Sequence, residues 1–465
     1  MARKRTHRDD HAHAHNDPPA GPGTEAETTG RYLVVLGDEC VGHAKHSVDA
    51  LKKVAGISHV ATSDEYEENA VDMAEAASAD AVVFTDIGIA VVSAPGDRGA
   101  LLAAASADDR IPVLSVEPEP IFYATQATAA PPELDYYRGY KAAVDHLYAQ
   151  MNGHRADLIG EDAPPALADT AQLTWGLQAC RVPTSRYSGQ GIRVAVLDTG
   201  MDLDHPDFLG RRVVNQSFVP GQTAQDGNGH GTHCIGTACG PRVPPGGTRR
   251  YGVAYGCDIY VGKVLSNQGS GQGGWILAGM EWAINQQCQV ISMSLGNTLA
   301  TVSNAYETVG RRALDRGCLI VAAAGNHGNR GGATPIGIVG QPANSPSILA
   351  VGAVDSALRI APFSTRSNPV AGGKVDLVGP GVAVFSTVPT PALPPGQPRN
   401  PAWPARYHSI SGTSMATPHV AGIAALWAQA RGLRGAALWN MITRFARPVG
   451  IPVIDAGSGL VQAPQ

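Results

Sequence analysis

The chain of 465 residues has no apolar run approaching the roughly 18–20 residues needed to cross a bilayer. Its opening stretch, MARKRTHRDDHAHAHNDPPAGPGTEAETTG, has basic residues but no apolar segment after them of the kind a secretory leader carries. Neither a membrane span nor a classical export signal is therefore expected, and cytoplasmic action and non-classical export both stay open. Charged residues make up 16%, and the formal net charge is −5, so no cationic surface for nucleic acid is expected. Seven cysteines are too few for a disulfide scaffold and odd in number, so at least one lacks an intrachain partner and the redox compartment is undecided. What is plentiful is glycine (55) and proline (34), which suit tight turns and close backbone approaches. The length allows two or three domains at about 150 residues each.

Four segments can be separated. Residues 1–30 are polar and cannot bury enough surface to fold alone; His11, His13 and His15 read as a solvated tail in preference to a weak metal site. Residues 31–123 read as a small α/β unit, with strands at YLVVL, AVVF…IAVV and IPVLSVEPEPIFYA and helices at HSVDALKKVAG and ALLAAASADD, in an order that fits a ferredoxin-like split βαβ domain. Residues 124–172 form a proline-bounded junction containing a helical stretch, LDYYRGYKAAVDHLYAQM. From residue 173 to 465, near-continuous apolar strands (IRVAVL, DIYVGKVL, VISMSL, LIVAAA, SILAVGAV) alternate with helices. That pattern predicts a doubly wound, mostly parallel sheet with helices on both faces.

In such sheets, ligands bind beyond the carboxyl ends of the strands. Asp198 ends IRVAVLDTG, Asn326 ends LIVAAAGN, His230 opens a small-residue helix in GNGHGTHCIGTACG, and Ser414 opens an apolar helix in SGTSMATPHVAGIAALWAQA. Each has a commonplace explanation: a turn aspartate, a left-handed asparagine, a core histidine, an N-cap serine. No HExxH pattern or third zinc-spaced ligand accompanies His230 and His233. It is the coincidence of all four that points to nucleophilic catalysis, because a serine hydroxyl needs an adjacent base and the base needs an orienting carboxylate.

From about Trp175 to Ala463 the chain resembles the subtilisin family of serine peptidases. The motifs that carry the likeness are DTG, HGTH, GTSMA and AAAGN, with linking text such as SILAVGAVD and VDLVGPGVAVFST. The resemblance implies a serine endopeptidase acting on protein or peptide substrates. Asp198, His230 and Ser414 would be its triad, Asn326 would join the Ser414 N–H as oxyanion donor, and no cofactor would be needed for the chemistry. It further implies that Gly269-Ser270-Gly271 and Ser294-Leu295-Gly296 are backbone edges for an extended substrate, and that Ala324 and Gly325, with Ala323 and Gly340-Gln341-Pro342, flank the pocket for the residue before the cleaved bond. A broad apolar preference and a cis bond before Pro342 are expected there.

Gly269, Gly271 and Gly274 also spell a dinucleotide-type GxGxxG, but the next strand ends in Ser-Leu-Gly without the acidic residue that fingerprint requires. Asp207 in HPDF matches a calcium ligand of the family, whereas CGPRVPPGGTRRYG, where the family has its calcium loop, lacks the Asn and Asp oxygens a hard cation wants. A structural calcium is thus left as an open expectation. Cys234 behind His230 reads as a small buried hydrophobe. The 31–123 unit resembles the family's propeptide, which implies an intramolecular inhibitor, self-cleavage between about residues 123 and 172, and a monomer. Two rivals stand beside this: an inactive subtilase used as a binding module, and a sedolisin-like acid peptidase, which would have Glu in place of His230.

Overall fold

The computed structural model describes residues 27–54, 57–93, 96, 98–108, 110–125, 166–332, 335–368, 372–390 and 406–465. Residues 1–26 of the expected polar tail and the junction helix expected at 134–151 lie outside them.

The N-terminal unit runs β1 (Thr28–Leu36), α1 (Ala44–Lys52), β2 (Val60–Thr62), β3 (Ala81–Phe84), β4 (Ile89–Ser93), α2 (Arg98–Ala105) and β5 (Val113–Ala124). Its strands stand in the order β5-β1-β4-β3-β2, antiparallel except for β2 beside β3. The first strand begins at Thr28, four residues before the expected YLVVL run and inside the stretch read as polar tail, because Thr28 already pairs with Pro120. Side chains alternate across a strand, and here both sets are apolar. Val34, Leu36, Val83, Ala90 and Val92 pack with Leu51 and Leu102 of the two helices. Leu33, Val35, Phe84, Ile89 and Val91 belong instead to the core of the following domain.

That domain continues with α3 (Trp175–Ala179), β6 (Arg193–Asp198), β7 (Val213–Ser217), α4 (His230–Cys239), β8 (Asp258–Lys263), β9 (Ser270–Gln272), α5 (Gly273–Asn285), β10 (Val290–Met293), β11 (Leu295–Gly296), α6 (Asn304–Asp315) and β12 (Leu319–Ala323). It ends with β13 (Leu349–Val354), β14 (Leu377–Pro380), β15 (Val384–Thr387), β16 (Tyr407–Ile410), α7 (Thr413–Arg431), α8 (Gly435–Arg444) and α9 (Val453–Ala456). Seven parallel strands form its sheet, in the order β14-β13-β12-β10-β6-β8-β7. The chain moves outward from β6 on one side and then returns to fill the other, so the carboxyl ends of β6, β10 and β12 meet at the switch point where crevices form. Among the described residues no helix is long and apolar enough to cross a membrane.

The two units are joined by sheet extension. β5 pairs with β1 and then passes between β9 and β11, antiparallel to both. Pro118 and Pro120 fall where only β1 is beside it, so a missing N–H costs no second ladder bond. Glu117 and Glu119, two residues apart and so on one face, serve helix N-termini, where orphan N–H groups favour an anion. Glu119 accepts from Gly274 N at 2.6 Å and from Arg31 at 2.7 Å. Glu117 accepts from the Ser303 hydroxyl and from Asn304 N at 3.0 Å. The N-terminal position of α5 that GxGxxG would offer to a pyrophosphate thus holds a carboxylate of the same chain.

Candidate active site

Asp198 is the last residue of β6 and His230 the first of α4. The Asp198 Oδ1 lies 2.8 Å from His230 Nδ1 and also accepts from Thr199 N at 2.7 Å. This fixes the neutral tautomer, with Nδ1–H donating to the carboxylate and Nε2 without a proton. Both side chains are buried. Burial by itself disfavours the imidazolium, but the Asp198 charge outweighs that and holds His230 well above its ordinary value.

A residue that sequence reasoning passed over fixes this pair. The carboxylate of Asp226, fully buried, accepts from Thr199 Oγ1 (2.9 Å), Asn228 N (2.9 Å), Gly229 N (2.8 Å), Thr232 N (2.9 Å) and Thr232 Oγ1 (2.7 Å). Thr199 Oγ1 in turn accepts from Gly231 N at 2.8 Å. The end of β6 and the start of α4 are therefore bolted together through one carboxylate. Lys263, buried on the neighbouring strand, donates to Thr199 O and to Asn267 Oδ1 at 2.8 Å, and its ammonium is lowered to about 8 by burial. Gly231 has no alternative residue here, since a Cβ would collide with Gly200 O.

Ser414 is the second residue of α7. Pro418 is not in the first turn, as its proximity to Ser414 suggested, but one turn further in. A proline there withholds the N–H that would bond the carbonyl four residues earlier, and that carbonyl belongs to Ser414. Freed, it accepts from Ser294 Oγ at 2.8 Å and lies 3.6 Å from the Cys234 thiol. The missing helix hydrogen bond thus ties Ser414 to the strand end at Ser294 and to the His230 helix.

The Ser414 hydroxyl is engaged by Thr125, the residue following β5. It lies 2.5 Å from Thr125 O and 3.1 Å from Ser294 O, with Thr125 Oγ1 also at 2.5 Å. His230 Nε2 has no hydrogen-bond partner among the described residues. Such catalytic hydrogen bonds often close only as the reaction proceeds. Asn326, after β12, donates from Nδ2 to the same Thr125 carbonyl at 2.5 Å. Its Oδ1 accepts from Thr413 N at 2.9 Å and Thr413 Oγ1 at 3.0 Å, which fixes which way the amide faces.

The edges read from sequence flank β5. Gly271 pairs with Phe122, Ser270 with Tyr123, Leu295 with Ala124 and Gly296 with Tyr123. Gly269 O accepts from Ala124 N at 2.8 Å, and Ser294 O accepts from Thr125 N at 3.3 Å. Ala323, Ala324 and Gly325 lead directly into Asn326. The Gln341–Pro342 bond is cis, and the Gln341 amide donates to Thr301 O at 2.8 Å. Asp198, His230 and Cys234 also bring three ligand-type atoms within 4.8 Å of one another. However, His230 Nδ1 is already taken and burial keeps the thiol protonated, so the group does not suit a cation. All seven cysteines are buried and unpaired.

Comparison with known proteins agrees with this geometry. The model of the subtilase family matches residues 189–446.

The chain belongs to the subtilase family.

This subtilase is 42% identical over 259 residues to subtilisin of Bacillus pumilus, an alignment covering 55% of the chain and 84% of that protein. It is likewise 42% identical over 259 residues to subtilisin E of Bacillus subtilis (strain 168), of which it spans 60%. Over 303 residues it is 35% identical to an intracellular serine protease of Paenibacillus polymyxa, covering 62% of the chain and 85% of that protein. By family the subtilase is a serine endopeptidase, a hydrolase.

Proposed function

We propose that the protein is a self-processing zymogen that cuts its own chain after Thr125, with Ser414 as nucleophile, His230 as base and acid, Asp198 orienting the imidazole and Asn326 stabilising the oxyanion. The observation that carries this is the Thr125 carbonyl, held by Ser414 Oγ and Asn326 Nδ2 while β5 is paired on both edges. Ser414 Oγ attacks that carbonyl carbon and His230 Nε2 takes its proton. The developing oxyanion keeps the Asn326 donor and gains the Ser414 N–H. Collapse breaks the bond to Gln126, whose amine takes the proton from His230. Water then hydrolyses the Thr125 ester by the same steps in reverse. Removing an oxyanion donor such as Asn326 costs about 10²–10³ in kcat.

After cleavage, β5 would remain in the cleft as an inhibitor. Other substrates would bind as the same added strand. Phe122, buried and packed edge-on against Tyr306 with ring centres 5.2 Å apart, marks a preference for an aromatic residue three places before the one that supplies the cleaved carbonyl. Thr125 marks tolerance of a small residue at the bond itself.

Mass spectrometry of the expressed wild-type chain should find an N-terminal fragment ending at Thr125, and Ser414→Ala should stay full length. Processing of Ser414→Ala with no other protease present would overturn self-cleavage. A fluorophosphonate should label Ser414 of the processed protein, and failure to do so would favour an inactive subtilase serving as a binding module.

A further inference from the structure

Asp207, in the turn Pro206–Phe208, is the residue that the family resemblance marks as a calcium ligand, but its surroundings do not fit that ion. Calcium takes six to eight oxygen ligands, acceptors all. The groups converging on the Asp207 carboxylate are donors. The Tyr251 hydroxyl donates to Oδ2, and the Tyr407 hydroxyl donates to Oδ1 at 2.8 Å while lying 3.1 Å from Oδ2. The Asp207 N–H is taken by His205 Nδ1 at 3.2 Å. Burial, reinforced by the carboxylate, pushes both phenols above their ordinary value, so neither becomes a phenolate ligand.

Neighbouring chain offers no replacement. From Gly240 to Arg250 there is no Asp, Glu or Asn. Arg249 in that stretch pairs with Asp169 at 2.7 Å and lies 5.3 Å over the Phe385 ring. Among the described residues, the only cluster of three or more His, Cys, Asp or Glu ligand atoms is the one at Asp198, His230 and Cys234.

We infer that Asp207, Tyr251 and Tyr407 form a metal-free lock in place of the calcium site that the family resemblance leads one to expect. It joins three segments far apart in sequence: the turn after β6, the loop after α4, and β16. Aromatic packing completes it. Tyr407 stacks on Phe385 of β15 at 5.5 Å, Tyr251 packs against both rings at 6.0 and 6.3 Å, and His205 meets Tyr407 edge-on at 5.9 Å. The lock has a bearing on catalysis through the β15–β16 hairpin. That hairpin lies along the helix that His230 begins: Thr387 Oγ1 donates to Thr232 O and Ser386 Oγ to His233 O, each at 3.0 Å, and His233 Nε2 lies 2.9 Å from Val384 O. What a calcium ion would brace by charge, this chain braces with two phenols and an aromatic stack.

The test uses the full-length Ser414→Ala chain, so that self-digestion does not intrude. Its thermal midpoint should be the same in EDTA and in millimolar calcium chloride. Tyr407→Phe and Tyr251→Phe should each shorten the half-life of thermal unfolding several-fold, equally with and without calcium. Adding Asp207→Asn to the Tyr407→Phe, Tyr251→Phe double variant should add little, because the carboxylate would already have lost its donors. Calcium protection that disappears in Asp207→Asn would overturn the inference. Calcium protection that persists unchanged in Asp207→Asn would place the ion elsewhere and leave the lock standing. The comparison of EDTA with calcium, made in the full-length chain and in Asp207→Asn, needs no tyrosine substitution, so it remains decisive even if a tyrosine variant fails to fold.

Discussion

The two sheets of the molecule solve the same burial problem differently. The parallel sheet carries apolar residues on both faces and covers both from within its own domain, chiefly through α4 and α7 on one side and α5 and α6 on the other. The N-terminal sheet is apolar on both faces as well, but its two helices cover only one. The other is covered by the catalytic domain, through α5 and α6 and through polar ties such as Glu281 to Asp86 N at 2.7 Å and Arg312 to Asp38 at 2.6 Å. Burying an apolar residue stabilises by about 1.5–3 kcal/mol, and Leu33, Val35, Phe84, Ile89 and Val91 all draw on the neighbour for this. One domain has a core of its own. The other has half a core and borrows the rest.

The largest consequence is all-or-none. Residues 27–125 expressed alone should show no cooperative thermal transition by circular dichroism, and should regain one when Ser414→Ala catalytic domain is added. A sharp transition in isolation would break the comparison.

Next comes the proposed triad, which stands wholly in the domain with its own core, Asp198 on β6 and His230 and Ser414 on helices that cover its sheet. Asp198→Asn should lower kcat by about 10⁴ while leaving the thermal midpoint of the processed domain nearly unchanged. The pH profile sharpens this. In the proposed mechanism His230 must be neutral to act as base, and Asp198 holds its pKa above the ordinary value against burial. Wild-type activity should therefore fall as pH drops through a point above about 6.5, and Asp198→Asn should move that limb to lower pH. A limb that stays in place would mean the carboxylate does not set the imidazole's affinity for protons.

The smallest effect lies at the borrowed face. Burial in the docked state pushes the Glu281 carboxyl up to about 8, despite hydrogen bonds from Asp86 and Ser63. In the undocked domain, where solvent reaches this face, an ordinary carboxyl value of about 4.3 applies. A pKa raised on docking means that the docked state is favoured fully below the undocked value and loses ground as pH rises through the docked one. Inhibition by added residues 27–125 should weaken up to about tenfold per pH unit between those limits. Glu281→Gln should flatten the slope.

Much of the site was legible in the sequence because it sits where periodic pattern changes to punctuation. Asp198 and Asn326 close apolar strands, and His230 and Ser414 open helices of small residues. What was not legible depends on distant chain. Asp226 looks like any loop aspartate until five donors converge on it. Tyr251 and Tyr407 lie 44 and 200 residues from Asp207 in sequence, so no local pattern links them. The proposed cleavage point could be narrowed in sequence only to a window of about fifty residues, because Thr125 is singled out by where β5 runs out between two strands, not by any motif of its own. Pro418 was placed one turn too early because a helix start cannot be fixed to the residue from composition.

Under the proposed self-cleavage, the passage of β5 through the cleft would also set how activation scales with concentration. Before cleavage the inhibitory strand is tethered, so its occupancy is independent of dilution. Once the Thr125–Gln126 bond is cut, the same strand is held by affinity alone, and its release becomes a dissociation that dilution promotes. The first enzyme molecules to lose it would then meet other released N-terminal units as partly unfolded substrates. Activation should accordingly show a lag followed by acceleration, with a delay that lengthens as the seed of free enzyme is made smaller.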